Sequence, residues 1–225
     1  MSTFQRARSE EQRELRRRAI LDTTAAMLDE MPVGEVSLNE LSRRVGLAKS
    51  NVLRYFESRE AILLELLGRA WNQWVDALPE LLAAEVDPDG SAAQRGEQVA
   101  AVLTRSLAGR RVMCDLFSAH AAVLERNISV DVAGYWKRTA IGNVDAMAGL
   151  VRRHLPELGD DATPLCAQAI MVVGPVWTHA RPSVAMLAAY DSDPALTVLR
   201  VDFIPTLQAM LATLIAGTLA RGAVG

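Results

Sequence analysis

Residues 37–62 read SLNELSRRVGLAKSNVLRYFESREAI, and the fold is decided within them. Ser37 and Glu40 stand three residues apart at the head of Leu38, Leu41 and Val45, which recur at helical spacing. That is the pattern of a capping box, in which the Ser37 hydroxyl and the Glu40 carboxylate satisfy opposite amides of the first turn. Gly46 ends the helix, and a second short helix over about Lys49 to Phe56 follows almost at once. Two short helices across a glycine turn make a helix-turn-helix candidate.

On the N-terminal side the sequence predicts a helix over about Glu10 to Glu30, with Leu15, Ala19, Thr23, Ala26 and Met27 on one face and Pro32 and Gly34 ending it. On the other side Ser58 can cap a helix running to about Leu78, striped by Ile62, Leu63, Leu66, Leu67, Ala70 and Trp74 and ended by Pro79. Glu85 to Arg95, with Pro88 and Gly90, reads as a loop. Helices follow over about Gln98 to Leu107, Arg111 to Glu125 and Val130 to His154, with a break at Gly109 and a turn at Pro156 and Gly159. Half the 225 residues are hydrophobic while aromatics are only 5%, and Ala and Leu recur throughout, which favours helix on helix. The expected fold is all-α, with a three-helix domain that carries the helix-turn-helix over residues 1–57 and a larger helical bundle over residues 58–225.

The segments Ala162 to Ala180 and Phe203 to Ala220 contain no Asp, Glu, Lys or Arg. Helices apolar around most of their circumference must be buried on several sides. Both approach the length of a membrane span, but Thr163, Gln168, Thr178 and His179 in one, and Pro205, Thr206, Gln208, Thr213 and Thr218 in the other, make poor lipid-facing surfaces. Burial between two subunits is the better account, and no membrane partner is expected.

The net charge of −3 hides an asymmetry: residues 1–70 hold 12 basic and 11 acidic groups, whereas the acidity lies in the remainder. Arg6, Arg8, Arg13, Arg16, Arg17 and Arg18 cluster near the N-terminus, a run that reads equally as a solvated helix face. The same stretch lacks the apolar core of a signal peptide. Cys114 and Cys166 lie far apart with no metal or redox spacing, which fits small buried hydrophobes in a reducing cytoplasm. Enzyme readings find no glycine-rich phosphate loop and no nucleophile elbow, while Asp160, Asp161, Asp191 and Asp193 sit beside turn residues, where capping explains them. No cofactor and no metal are expected. An architectural DNA protein fits poorly, because the acidic larger part would not follow a DNA surface.

The stretch 37–62, within a match over about Arg13 to Leu67, resembles the TetR family of bacterial transcription regulators: the capped helix, Gly46, the short second helix, Tyr55-Phe56 and Ser58-Arg59-Glu60 occur in family order. Packing by Leu38, Leu41, Val45, Val52 and Phe56 leaves Ser50, Asn51 and Arg54 on the outer face of the second short helix, where they can enter a DNA major groove. Asn51 suits adenine and Arg54 suits guanine or a phosphate. Lys49 and the Tyr55 hydroxyl suit phosphates, and the resemblance adds Ser37 and Arg59, the latter through its backbone amide at a helix start. Ala48 stands where the family commonly has a capping Ser or Thr, and Leu53 where it often has Tyr, which puts one phosphate or thymine contact in doubt. Arg6 and Arg8 read either as an arm for the minor groove or as a tail.

A single reading helix covers few base pairs, so operator specificity requires a homodimer. The resemblance places the two uncharged helices in that interface, through Ile170, Val173, Leu207, Leu211 and Leu214. It also implies an apolar pocket for a small-molecule effector that releases a repressor from double-stranded operator DNA. Trp71, Trp74, Met113, Phe117, Trp136, Met147 and Trp177 are the bulky candidates, with Asn143, His120 or His179 for polar contacts. The alternatives are ordinary core packing for the bulky residues, and a regulator that activates or needs no ligand.

Overall fold

The computed structural model describes residues 3–222, with side chains from Glu10 onward. Among them all regular structure is helical: α1 (Thr3–Glu30), α2 (Leu38–Val45), α3 (Lys49–Val52), α4 (Arg59–Glu85), α5 (Ala92–Ala108), α6 (Arg111–Ala119), α7 (Val130–His154), α8 (Ala162–His179), α9 (Val184–Ser192) and α10 (Phe203–Gly222). Short 3₁₀ segments occupy Val33–Glu35, Pro156–Asp161 and Pro194–Leu199, and a π-helical turn, His120–Leu124, follows α6. Two compact units result, one of Met1–Arg69 with Ala119–Lys137, the other of Ala70–Ser118 with Arg138–Gly225. The division at residue 57 expected from the sequence does not anticipate that Ala119–Lys137 joins the first unit.

In the first unit α1 buries Ile20, Leu21, Thr24, Met27 and Leu28. Of the face expected from the sequence, Met27 is buried and Thr23 half-buried, but Leu15 is 58% exposed and Ala19 and Ala26 are exposed too. Thr24 enters the core without penalty because its hydroxyl donates to the Ile20 carbonyl at 2.8 Å. The helix begins earlier than expected, since the arginine and glutamate run contains no breaker. Arg6 and Arg8 fall within its span, but their side chains lie outside the described residues.

Ser37 caps α2, its hydroxyl accepting from the Glu40 amide at 3.2 Å. Gly46 closes it with φ +71°, a left-handed conformation that costs a glycine nothing. The Leu47 amide then reaches the Ser42 carbonyl at 3.0 Å, completing a Schellman cap. Helix α3 is a single turn, shorter than expected, and Leu53–Tyr55 continue it as a tight turn through bonds such as Tyr55 N to Val52 O at 2.9 Å. Ala48 supplies no side-chain cap, as its position among the family residues implied. Helix α4 passes through Pro79 to Glu85, beyond the end read from the proline. Leu78 and Leu82, both 0% exposed, and Val86 at 4% lie on either side of Pro79 and bury one continuous stripe. Burial worth roughly 1.5–3 kcal/mol per side chain offsets the cost of about 3 kcal/mol for an interior proline.

In the second unit α10 packs on α5 and α8. Ser91 and Gln94 form a reciprocal capping box that starts α5 well before the expected Gln98. Cys114 and Cys166 are buried free thiols, and burial pushes both up to about 12. Helix α9 and the segment Pro194–Leu199, which the sequence reading passed over, bury no residue at all. One helix among the described residues, Phe203–Gly222, is long and apolar enough to cross a membrane, and its Leu207, Leu211, Ile215 and Thr218 are buried within its own chain.

A close approach of α6 to α8 explains Gly174. A Cβ there would lie 2.7 Å from the Phe117 carbonyl oxygen, which is backbone and cannot swing aside. Gly149 of α7 has nothing within 4 Å of such a Cβ. Gly174→Ala is therefore expected to lower stability by about 1–3 kcal/mol, and Gly149→Ala to leave it unchanged or raise it by up to about 1 kcal/mol. Urea unfolding of both variants checks the opposite signs.

Candidate nucleic-acid interface

From Glu10 to Arg69 the first unit sorts its cations into two groups. Arg17 forms an ion pair with Glu65, donates to the Tyr55 carbonyl, and lies over the Phe56 ring at 4.2 Å. Arg44 bridges Glu30 at 2.7 Å and Glu40 at 2.8 Å, and Arg43 meets Glu40 at 2.6 Å. Arg69 reaches Glu65 at 3.4 Å, and Arg18 pairs with Glu14 at 3.2 Å. Arg13, Arg16, Lys49 and Arg54 are exposed and form no ion pair among the described residues.

Three of those four spare cations line one groove. Gln12, Arg13, Leu15, Arg16 and Ala19 of α1 face Leu47, Asn51, Arg54 and Tyr55 across an open volume of about 910 Å³. Among the described residues no acidic side chain lines it. Polar and apolar walls are mixed, so the groove offers positive charge, amide and hydroxyl groups, and a hydrocarbon floor from Leu15, Ala19 and Leu47. The sequence reading named Asn51, Arg54 and Tyr55 but left Arg13 and Arg16 in a general arginine cluster. Their helical spacing relative to Leu15 was the available signal, and it was masked by assigning Leu15 to the core.

The remaining residues expected at DNA divide. Ser50, Asn51, Arg54 and Lys49 are exposed, as an outward face requires, and Tyr55 is half-buried. Ser37 is exposed but its hydroxyl already serves the Glu40 amide. Arg59 is tied inward: its guanidinium donates to the Val36 carbonyl at 3.0 Å and pairs with Glu60 at 3.1 Å. A phosphate role for Arg59 therefore falls to its backbone amide at the start of α4, as the sequence reading had it. The capping box expected of Ser37 and Glu40 is half made, because the Glu40 carboxylate turns to Arg43 and Arg44 instead.

The bulky residues expected to bind a ligand belong to two different units. In the second, Trp71 and Phe117 meet edge to face at 5.2 Å, Trp74 donates to Ser106 at 2.9 Å, and Met113 and Met147 are each 1% exposed. Trp177 donates to Asp115 at 2.6 Å and stacks edgewise on Phe203 at 4.8 Å. Asn143 is buried and its side-chain nitrogen has no hydrogen-bond partner among the described residues, and the Thr104 hydroxyl is in the same condition. His179 is exposed at the end of α8. In the first unit His120 and Trp136 pack at 5.3 Å, and both donate to Glu125, with Lys137 at 2.6 Å. Burial holds the His120 imidazole below its usual range.

The dimer candidates also separate. Val173 and Leu207 are 0% exposed and Leu211 2%, so they serve the interior of their own chain, while Ile170 and Leu214 are half-buried. The large apolar side chains that α8 and α10 present outward are Met171, Ile204 and Met210, at 75, 44 and 39% exposure. The helical pattern identified both helices as apolar but gave no means of telling their inner from their outer face.

The bond to Arg43, then that to Arg44, holds the Glu40 carboxyl down at about 2. A carboxylate lowered on folding stabilises the fold above the ordinary carboxylate range, and that contribution is lost as pH falls through about 2. Carbon-detected NMR titration is expected to show Glu40 ionised throughout mild acid, and Arg43→Gln to move its midpoint back up.

Comparison with known proteins gives two family matches: "Bacterial regulatory proteins, tetR family" over residues 20–66, and "Tetracyclin repressor-like, C-terminal domain" over residues 68–222. The HTH-type transcriptional regulator EthR of Mycobacterium tuberculosis is 32% identical over 123 residues, spanning 52% of this chain and 51% of that protein. The match thus covers about half the length of this relative. Among solved structures, the transcriptional regulator FadR of Bacillus subtilis in complex with stearoyl-CoA superposes with TM-score 0.54 at 14% identity, over 88% of this chain and 97% of that one. The fatty acid degradation regulator FadR of Bacillus halodurans gives TM-score 0.54 at 12% identity, with the same coverage. These structural likenesses establish a shared fold.

Proposed function

The chain belongs to the TetR family of bacterial regulatory proteins, and from that membership we propose that it is a sequence-specific DNA-binding transcription regulator acting as a homodimer. The groove of Arg13, Arg16, Asn51, Arg54 and Tyr55 carries this reading. A surface that keeps Arg13, Arg16 and Arg54 free of carboxylates among the described residues, while Arg17, Arg18, Arg43, Arg44 and Arg69 are paired, is suited to a polyanion. Asn51 and Arg54 read base edges; Lys49, Arg13, Arg16 and Tyr55 hold phosphates, with Ser37 and the Arg59 amide flanking them. DNA reading is assigned to residues 1–57 together with the first turns of α4 that share their unit, and ligand binding and dimerisation to the second unit.

Repression with release by a small, largely apolar ligand is the finer reading. Trp71, Phe117, Met113 and Met147 supply apolar walls, and the Asn143 side-chain nitrogen, unpartnered among the described residues, supports a ligand with one hydrogen-bonding end. The proposed switch uses α4, whose first turns belong to the reading unit and whose later turns carry Trp71 and Trp74. Half-sites lie about 34–36 Å apart, so a small displacement in each subunit spoils simultaneous docking. Membership of a family of transcription regulators supports action in the cytoplasm, and the burial of Leu207, Leu211, Ile215 and Thr218 of α10 within its own chain supports a place away from a membrane.

Base reading and phosphate binding separate experimentally. On an operator selected from random duplexes, Asn51→Ala is expected to relax preference at one position at a cost of about 1–3 kcal/mol. Lys49→Ala is expected to weaken every sequence alike and to reduce the salt slope by about one. Fluorescence anisotropy across a salt series measures both, and equal losses on operator and random DNA for Asn51→Ala would remove base reading.

For the dimer, Met210→Asp is expected to give a folded monomer, because the side chain faces outward. Leu207→Asp buries a charge in its own subunit and is expected to give insoluble protein. Light scattering with far-ultraviolet circular dichroism distinguishes the two, and a wild-type monomer at micromolar concentration excludes the homodimer.

A further inference from the structure

Leu53 is out of place for a core residue. Its neighbours Val52 and Phe56 are 0 and 5% exposed, yet Leu53 is 40% exposed on the turn between Asn51 and Arg54. Among the described residues of the helix-turn-helix unit up to Arg69, Leu15 and Leu53 are the large apolar side chains that stand exposed, while Met31, Leu38, Val45 and Leu47 are half-buried. Leu15 lies in the groove beside α3, but Leu53 is not among the groove's walls. Its backbone is helical and its amide bonds the Lys49 carbonyl at 3.0 Å, so the side chain is carried on an ordered turn.

We propose that Leu53 is a specificity residue that selects thymine in the operator half-site by packing on its C5 methyl. The inference rests on the reading of this surface as the DNA-binding face. Asn51 and Arg54 flank Leu53 in sequence and offer hydrogen bonds, which distinguish bases by donor and acceptor pattern. The thymine methyl is the one major-groove feature that a hydrocarbon side chain recognises. Leu53 has no donor or acceptor with which to hold a phosphate, so its exposure between two polar readers contributes discrimination through apolar burial alone. Cytosine lacks the methyl, and uracil removes it without altering any hydrogen bond. The chemistry of recognition is therefore separable from pairing and from backbone charge.

The full chain is used to select half-sites from a random duplex library, and each thymine of the enriched site is then replaced singly by deoxyuridine. Wild-type protein is expected to lose about fourfold in affinity at one thymine, the effect of one methyl group, and to tolerate the others. Leu53→Ala is expected to bind the thymine and uracil duplexes equally at that position, with its melting temperature unchanged. Leu53→Gln, a polar variant of similar size, is expected to lose the same discrimination. Enrichment of a site at which wild-type protein tolerates every replacement overturns the role of Leu53 while leaving base reading intact. A methyl effect that persists in both variants overturns it equally. Failure to enrich any sequence overturns both this proposal and the DNA-reading function beneath it.

Discussion

The reading surface depends on one arginine that does not read. A helix of a single turn cannot hold itself in water, because nucleation costs more than its few bonds return. Helix α3 persists because Val52 and Phe56 are buried and because Arg17 grips the turn that follows. Its guanidinium donates to the Tyr55 carbonyl, covers the Phe56 ring and pairs with Glu65 of α4, so α1, the turn and α4 are joined at one point. Side-chain relative exposures of 25 and 18% place the Arg17–Glu65 pair partly out of water, where an ion pair is stronger than on an open surface. Asn51 and Arg54 are aimed outward by this anchoring and not by any strength of their own helix.

Charge is divided between construction and display. The Glu30–Arg44–Glu40–Arg43 chain fastens the end of α1 to α2, and its carboxylates neutralise arginines that would otherwise add to the outward field. Arg13, Arg16, Lys49 and Arg54 have no such partners among the described residues. A nearly neutral first segment can thus present a strongly positive face, which total charge would never disclose.

Local punctuation was legible in the sequence, and facing was not. Ser37 as cap, Gly46 as left-handed stop, Ser58 as cap and the span of α7 follow from residue chemistry within one turn, and the structure has each. Pro79 misled because its local cost was outweighed by Leu78, Leu82 and Val86, a tertiary effect. Leu15, Leu207 and Leu211 misled for a related reason: an apolar residue announces burial without saying which side the neighbour occupies, and α10 is apolar all round. Arg13 and Arg16 became readable only once Leu15 was found outside the core. The ligand candidates were scattered because aromatic bulk marks any core, and His120 with Trp136 folds into a different unit from Trp71 and Phe117.

The two cysteines carry a practical consequence. Cys114 and Cys166 are at most 1% exposed, and burial keeps both thiols protonated far above neutral pH. Thiolate, not thiol, is the species that alkylates or oxidises, so both are silent toward maleimides and mild oxidants while the chain stays folded. The native background is therefore blank for site-directed labelling. A single cysteine engineered at a surface position could carry a spin label or dye without replacing either native thiol, and any slow uptake of label at Cys114 or Cys166 would clock the opening of the second unit's core.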